Sequence, residues 1–185
     1  MKKVLITILF ILLFTTMIRN TTQVAFGRPN IHSWKVWKTI TLGTYQSITT
    51  LHNALEVQGN HVSPWANDIL NKILLYSKKT CVDLVIISVA DLGFKEGATY
   101  KDILVCATNL GLKKCPAEVG PQLRLQYKNQ LNGEWLRIAM EPIIDSEGHP
   151  SIFGVGRSDS GLWLYWDGGN PGDFWRSNNH FVFVR

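Results

Sequence analysis

The sequence predicts an α+β fold in which N-terminal helices pack on a mostly antiparallel C-terminal sheet. Apolar residues recur at helical spacing between residues 47 and 110, whereas from residue 122 they alternate with polar ones between frequent turn signals. The apolar run at residues 82–90 predicts a central strand buried on both faces, in addition to a meander of about five strands. With 45% apolar and 18% charged residues among 185, the chain has the composition of a single globular domain.

The first 27 residues have the pattern of a secretory signal. Lys2 and Lys3 precede an apolar run at residues 4–14, which is the order of the basic and hydrophobic regions in a signal peptide. That run is short for a membrane span, which needs about 20 residues. Cleavage after Gly27 would leave a mature domain, residues 28–185, in a secreted or cell-envelope protein. The alternatives are an uncleaved N-terminal anchor and a cytoplasmic protein whose leader is not a signal.

Removal of this leader would also change the charge of the protein. It carries three basic residues and no acidic one, so the formal net charge of +5 would fall to +2. The remaining lysine pairs, at residues 78–79 and 113–114, are isolated rather than arranged as a stripe. We therefore predict no nucleic-acid partner, and membrane contact only through an uncleaved N-terminal segment.

Element by element, the chain begins with an alternating segment at residues 34–42 that predicts a first or edge strand. Ser47 then opens a helix that ends near Gly59. Ser63 is a natural N-cap for a second helix because Pro64 follows at the first helical position.

Capping and turn signals also predict the elements in the second half of the chain. Thr99 and Asp102 have the spacing of a capping box, and Gly111 ends the helix that they begin. Leu123, Leu125 and Tyr127 alternate with polar residues and predict the first strand of the meander. Turn signals then separate the other strands, which we predict at residues 134–141, 151–157, 161–166 and 180–184.

Three cysteines, an odd number, allow at most one internal disulfide. Cys106 lies within a predicted amphipathic helix and is best interpreted as a small core residue. Cys81 and Cys115 each precede a strand-like segment, which makes them the candidate pair for an exported protein.

The segment LKKCPAEVGPQLRLQY contains the candidate catalytic residues. Cys115 or Glu118, together with His149 or His180, would suit a small hydrolase, which is the alternative to a binding protein. A reactive thiolate needs a positive environment, however, and Cys115 follows a predicted helix C-terminus. Pro116 and the residues after it explain the segment equally well as a tight corner, and we favour the corner.

Metal and cofactor sites are not predicted. The histidines form none of the short-spaced zinc patterns. The loop DGGNPGD offers oxygen ligands but lacks the glutamate that closes a calcium loop. We interpret it as an ordinary turn.

Aromatic residues are concentrated in the last third of the chain and suggest a binding surface. Alternation places Trp135, Arg137, Trp163 and Tyr165 on the sheet face opposite to the leucines between them. An open face of this kind would bind a glycan or a protein partner. The alternative is that a loop at residues 167–179 covers the rings and buries them. The predicted function is an exported binding or interaction module.

Three motifs, LKKCPAEVGPQLRLQY, GEWLRIAMEPI and GLWL, resemble those of an uncharacterised family of short bacterial proteins. The resemblance extends from about residue 37 to residue 185. It implies no activity and assigns no functional residue.

Overall fold

The computed structural model describes residues 34–185, so the predicted signal lies outside the described residues. Within them, the elements follow in the order β1 (Lys38–Leu42), α1 (Ile48–Val57), β2 (Asn60–Val62), α2 (Pro64–Leu70), β3 (Thr80–Ser88), β4 (Ala98–Thr99), α3 (Tyr100–Asn109), α4 (Val119–Gln126), β5 (Trp135–Ile138), β6 (Ile143–Ile144), β7 (Pro150–Ser158), β8 (Gly161–Gly168), β9 (Phe174–Trp175) and β10 (His180–Val184).

The main sheet is mixed, and the α+β class is confirmed. Its strand order is β1, β3, β10, β5, β7, β8, β2, with β6 paired to β7, while β4 and β9 form a separate ribbon. Strands β5, β7 and β8 are antiparallel neighbours as predicted. The meander does not extend further, because β10 inserts between β3 and β5 and runs parallel to β5. The short β2 then joins β8, also in parallel.

The N-terminal elements form where local signals predicted them. The Ser47 side chain caps α1 together with Thr50 in a capping box, and the Ser63 side chain accepts a hydrogen bond from the main chain of Ala66 at the start of α2. Strand β1 pairs only with β3 and lies at an edge of the sheet. The longest helices in residues 34–185 have ten residues, and none of the helices there is long and apolar enough to cross a membrane.

The predicted strand at residues 122–127 is wrong, because this segment belongs to helix α4. Every residue from Val119 to Leu125 is buried, so no polar face exists to reveal the helical period. Leu123, Leu125 and Tyr127 therefore mimic the alternation of a strand. Pro121 is compatible with the helix because it lies in the first turn, where its missing N–H has no intrahelical acceptor.

Helix α4 lies inside a curled sheet. It contacts β1 near one end of the strand order and β7 and β8 near the other. The closest approach is at Gly120, where a Cβ atom would lie 2.7 Å from the Phe153 side chain. This arrangement explains why the helix is enclosed on all sides.

The helices lie on both faces of the sheet. Phe153, Val155 and Leu164 are on the α4 side, and the last two are opposite one another in register. Tyr100 at the start of α3 packs instead against Phe181, which is opposite Arg137 on the other side. Strand β3 is internal as predicted, but only its second half is largely buried.

Candidate functional site

Cys115 is buried in a corner of the core. Its main-chain N–H donates to Ala139 over 2.7 Å, and its thiol donates to the carbonyl of Val182 over 3.3 Å. With 4% of its surface exposed, the residue is inaccessible, and burial raises the pKa of its thiol. Both effects disfavour a nucleophilic thiolate, as expected for a structural corner.

Glu118 is completely buried and bound by three N–H donors. One carboxylate oxygen accepts hydrogen bonds from the main chain of Gly43 at 2.8 Å and from the side chain of Gln122 at 2.9 Å. The other accepts a bond from the main chain of Tyr76 at 2.7 Å. The carboxylate thus ties two loops to the start of α4 and is not open to a substrate.

The two histidines considered for catalysis lie elsewhere. His149 is in the turn before β7, beside the carboxylates of Asp145 and Glu147. His180 begins β10, opposite Ser88 on β3. Within residues 34–185, no hydrogen bond joins either histidine to Cys115 or to Glu118.

The structure also separates the predicted cysteine pair. Cys81, Cys106 and Cys115 are all free thiols. Cys115 contacts Val182, which is opposite Ile86. Ile86 lies five residues along β3 from Cys81, or about 16 Å at 3.3 Å per residue. A disulfide requires Cα atoms within about 7 Å.

The predicted aromatic face forms a row across four strands. Four residues lie side by side in this row: Trp135 on β5, Gly156 on β7, Trp163 on β8 and His61 on β2. The His61 and Trp163 rings stack with their centroids 4.6 Å apart. Tyr165 belongs to the next row along the strands, and its ring meets Trp135 edge to face at 4.9 Å. We call Trp135, Trp163, Tyr165 and His61 the aromatic platform.

Two glycines on β7 create space for these rings. A Cβ atom on Gly154 would lie 2.2 Å from the Tyr165 ring, and one on Gly156 would lie 2.2 Å from the Trp135 ring. The rings therefore lie over the bare backbone of β7, which flattens the surface.

The platform is partly open to solvent. Trp135 has 38% of its surface exposed, Trp163 and Tyr165 are half-buried, and His61 is exposed. The Tyr165 hydroxyl donates to the carbonyl of Leu136, and burial raises the pKa of this phenol. The rings are thus partly exposed, which is intermediate between the two alternatives of an open face and a face buried under a loop.

Arg137, the fourth predicted binding residue, is engaged within the protein. Its Nε donates to Asp167 over 3.0 Å, and its guanidinium lies 5.0 Å from the Trp175 ring. Burial raises the pKa of the Asp167 carboxyl, although the charge of Arg137 opposes this effect. The segment that carries Trp175 therefore covers the Arg137 end of the face, while Trp135 keeps 38% of its surface exposed.

Several residues of this surface were missed in the sequence. His61 joins it through the parallel β2–β8 pairing, for which a three-residue strand gives no signal. The spacing of Gly154 and Gly156 was a usable signal, because two glycines on one face of a strand indicate close approach of another group. Within residues 34–185, no three histidine, cysteine, aspartate or glutamate side chains group closely enough to hold a metal ion.

Comparisons of the chain with protein-family models, with curated proteins and with solved structures find no match.

Proposed function

We propose that this protein is an exported binding module that holds a carbohydrate against the aromatic platform. The observation that carries the proposal is the cross-strand row of Trp135, Trp163 and His61, laid over a glycine position of β7 and left partly exposed. The signal-like pattern of residues 1–27 supports export.

The chemistry of the platform suits a sugar ring. One face of a pyranose presents C–H groups, which pack against the electron-rich face of an indole or phenol. Sugar hydroxyls need hydrogen-bonding groups beside the rings. His61 lies at the Trp163 end, where its Nε2 is 2.8 Å from the carbonyl oxygen of Ser160 and its Nδ1 is left for a sugar hydroxyl. The Trp163 indole N–H donates to the Ser160 hydroxyl over 3.0 Å.

The size of the platform favours a short glycan over a protein partner. Four neighbouring strands span about 14 Å, since strands lie about 4.8 Å apart. A surface of that length and two residues in width covers on the order of 100 Å², whereas a stable protein interface buries about 800 Å² on each partner. A few sugar rings match the smaller figure.

Trp166 provides a matched control for the test. It lies on the same sheet as Trp135, is similarly exposed at 37%, and faces the other way, against Trp65 of α2. The purified protein is screened against an array of bacterial and host glycans, and the best oligosaccharide is titrated by calorimetry. Trp135→Ala should weaken binding by about tenfold or more, as loss of a central aromatic contact does, and Trp166→Ala should leave it unchanged.

Two results would reject the proposal. One is the absence of any glycan ligand when a folded protein is screened. The other is an equal loss of affinity in both tryptophan variants, which would show that the face of β5, β7 and β8 opposite α4 is not the binding surface.

A further inference from the structure

A second concave site lies beside α3 and shares no lining residue with the aromatic platform. It is a cavity of about 460 Å³ between α3, the segment that follows Met140 and the loop around Pro171. We call it the α3 cavity. Its apolar walls are formed by Leu104, Val105, Pro142 and Pro171. The volume falls within the range of about 300–1,000 Å³ that is typical of small-molecule sites.

The walls of this cavity are held in place by buried hydrogen bonds. The Tyr100 hydroxyl donates to the carbonyl of Met140 over 2.7 Å and accepts the Met140 N–H over 3.1 Å. At the opposite wall, the Lys101 N–H donates to the carbonyl of Pro171 over 3.0 Å. The cavity is therefore formed before any ligand arrives, which lowers the entropic cost of binding.

Helix α3 carries apolar side chains that are not fully packed into the core. Ile103 and Ala107 are fully buried on the sheet side. Leu104 is only half-buried, and Val105 has 52% of its surface exposed, on the side that lines the cavity. Burial of these two side chains by a ligand would remove apolar surface from water, which is favourable.

The rim of the cavity carries an excess of positive charge. Lys101 and Lys114 line it together with one carboxylate, Glu141, which pairs with Lys114. In the part of the chain that the structure describes, Lys101 forms no ion pair. An anionic group at the rim would therefore find a cation that has no competing partner.

We propose that the α3 cavity binds a small amphiphilic anion. Its apolar body packs between Val105 and the two prolines, and its charged head lies at Lys101. This site is independent of the aromatic platform, so the failure of either proposal leaves the other standing.

Straight-chain compounds test the apolar contact and the recognition of charge separately. Decanoate, decanol and butanoate are titrated into the full protein by calorimetry, below their aggregation concentrations. Each buried methylene contributes about fourfold in affinity, so butanoate should bind at least a hundredfold more weakly than decanoate. Decanol, which lacks the charge, should bind about two- to fivefold more weakly, as expected for an exposed ion pair.

Matched variants locate the site. Val105→Asp should weaken decanoate binding by at least tenfold, whereas Val57→Asp, at an 88% exposed valine on α1, should not. Lys101→Gln should reduce decanoate affinity to that of decanol and leave decanol affinity unchanged, with Lys79→Gln as its control. Urea unfolding of each variant confirms that it is folded.

Three outcomes would overturn the proposal. Decanoate that binds equally well to the Val105 and Val57 variants occupies another surface. A Lys101→Gln variant that loses affinity for decanol and decanoate alike shows no recognition of charge. Absence of decanoate binding to the folded wild type would also overturn it. If sedimentation then changes in Val105→Asp alone, the apolar wall is a contact between two copies of the chain.

Discussion

At the scale of single residues, the carboxylate of Glu118 connects three separate segments by accepting N–H donors from Gly43, Tyr76 and Gln122. Glu118→Ala should lower the free energy of unfolding by about 3 kcal/mol, because two main-chain donors lose their partner and a cavity is left. Urea denaturation measures this, with the exposed Glu147→Ala as control. A loss below about 1 kcal/mol would contradict the structural role.

Tyr127 gives a prediction about pH. Burial, and the hydrogen bond that its hydroxyl donates to Glu134, raise its pKa to about 12 from an ordinary value of 10.0. A folded pKa above the unfolded one stabilises the protein fully below pH 10, and the contribution is lost as the pH rises from 10 to 12. The stability advantage of the wild type over Tyr127→Phe should therefore shrink over that interval in urea titrations. A constant difference would contradict the shift.

Trp163 and Leu164 are neighbours on β8 with opposite roles. Leu164 is fully buried, so Leu164→Ala should cost about 2–5 kcal/mol of stability. Trp163 is half-buried, and Trp163→Ala should cost less stability yet weaken glycan binding by about 2 kcal/mol. Thermal unfolding and calorimetry separate the two effects. Equal destabilisation by both changes would place Trp163 in the core.

At the scale of elements, strand β7 needs glycines where aromatic rings of β5 and β8 lie over its backbone. Gly154→Ala should destabilise the protein by about 1–3 kcal/mol, because the new methyl group would meet the Tyr165 ring at 2.2 Å. Gly172→Ala is the matched control, since no atom lies within 4 Å of its Cβ position. Equal unfolding midpoints for the two variants in urea would show that the rings do not need the space.

Local signals predicted the elements that depend on local chemistry. The β7–β8 hairpin follows from the turn residues between two alternating runs, and α1 and α2 follow from Ser47 and Ser63. Helix α4 was predicted as a strand because neighbouring elements bury every face of it. Its sequence therefore lacks the polar and apolar period of a surface helix. The parallel pairings of β10 and β2 depend on contacts between distant segments, which a single sequence does not reveal.

The same distinction applies to the candidate site. Alternation along β5 and along β8 placed Trp135, Trp163 and Tyr165 on a common face, and the structure agrees. Which groups surround them depends on pairing between strands and on the path of the loop that carries Trp175. Consequently, neither His61 nor the ion pair of Arg137 with Asp167 was foreseen.

At the scale of the whole molecule, we propose that residues 1–27 are a signal peptide and are removed before the protein acts. If residues 1–27 are a signal, protein recovered from its host should begin near Arg28 and carry a formal net charge of +2. Intact-mass measurement and N-terminal sequencing test this. Intact Met1 in a soluble cytosolic fraction would contradict export.

The position of β10 has a consequence for synthesis. This strand is the last of the described strands to leave the ribosome, yet it pairs with both β3 and β5 in the middle of the sheet. Until it emerges, β3 and β5 each expose an unpaired edge toward the gap that it will fill. The nascent chain therefore cannot complete its sheet until the residues of β10 have left the ribosome. If the protein is exported as proposed, this delay would keep the chain unfolded while it reaches a translocation channel.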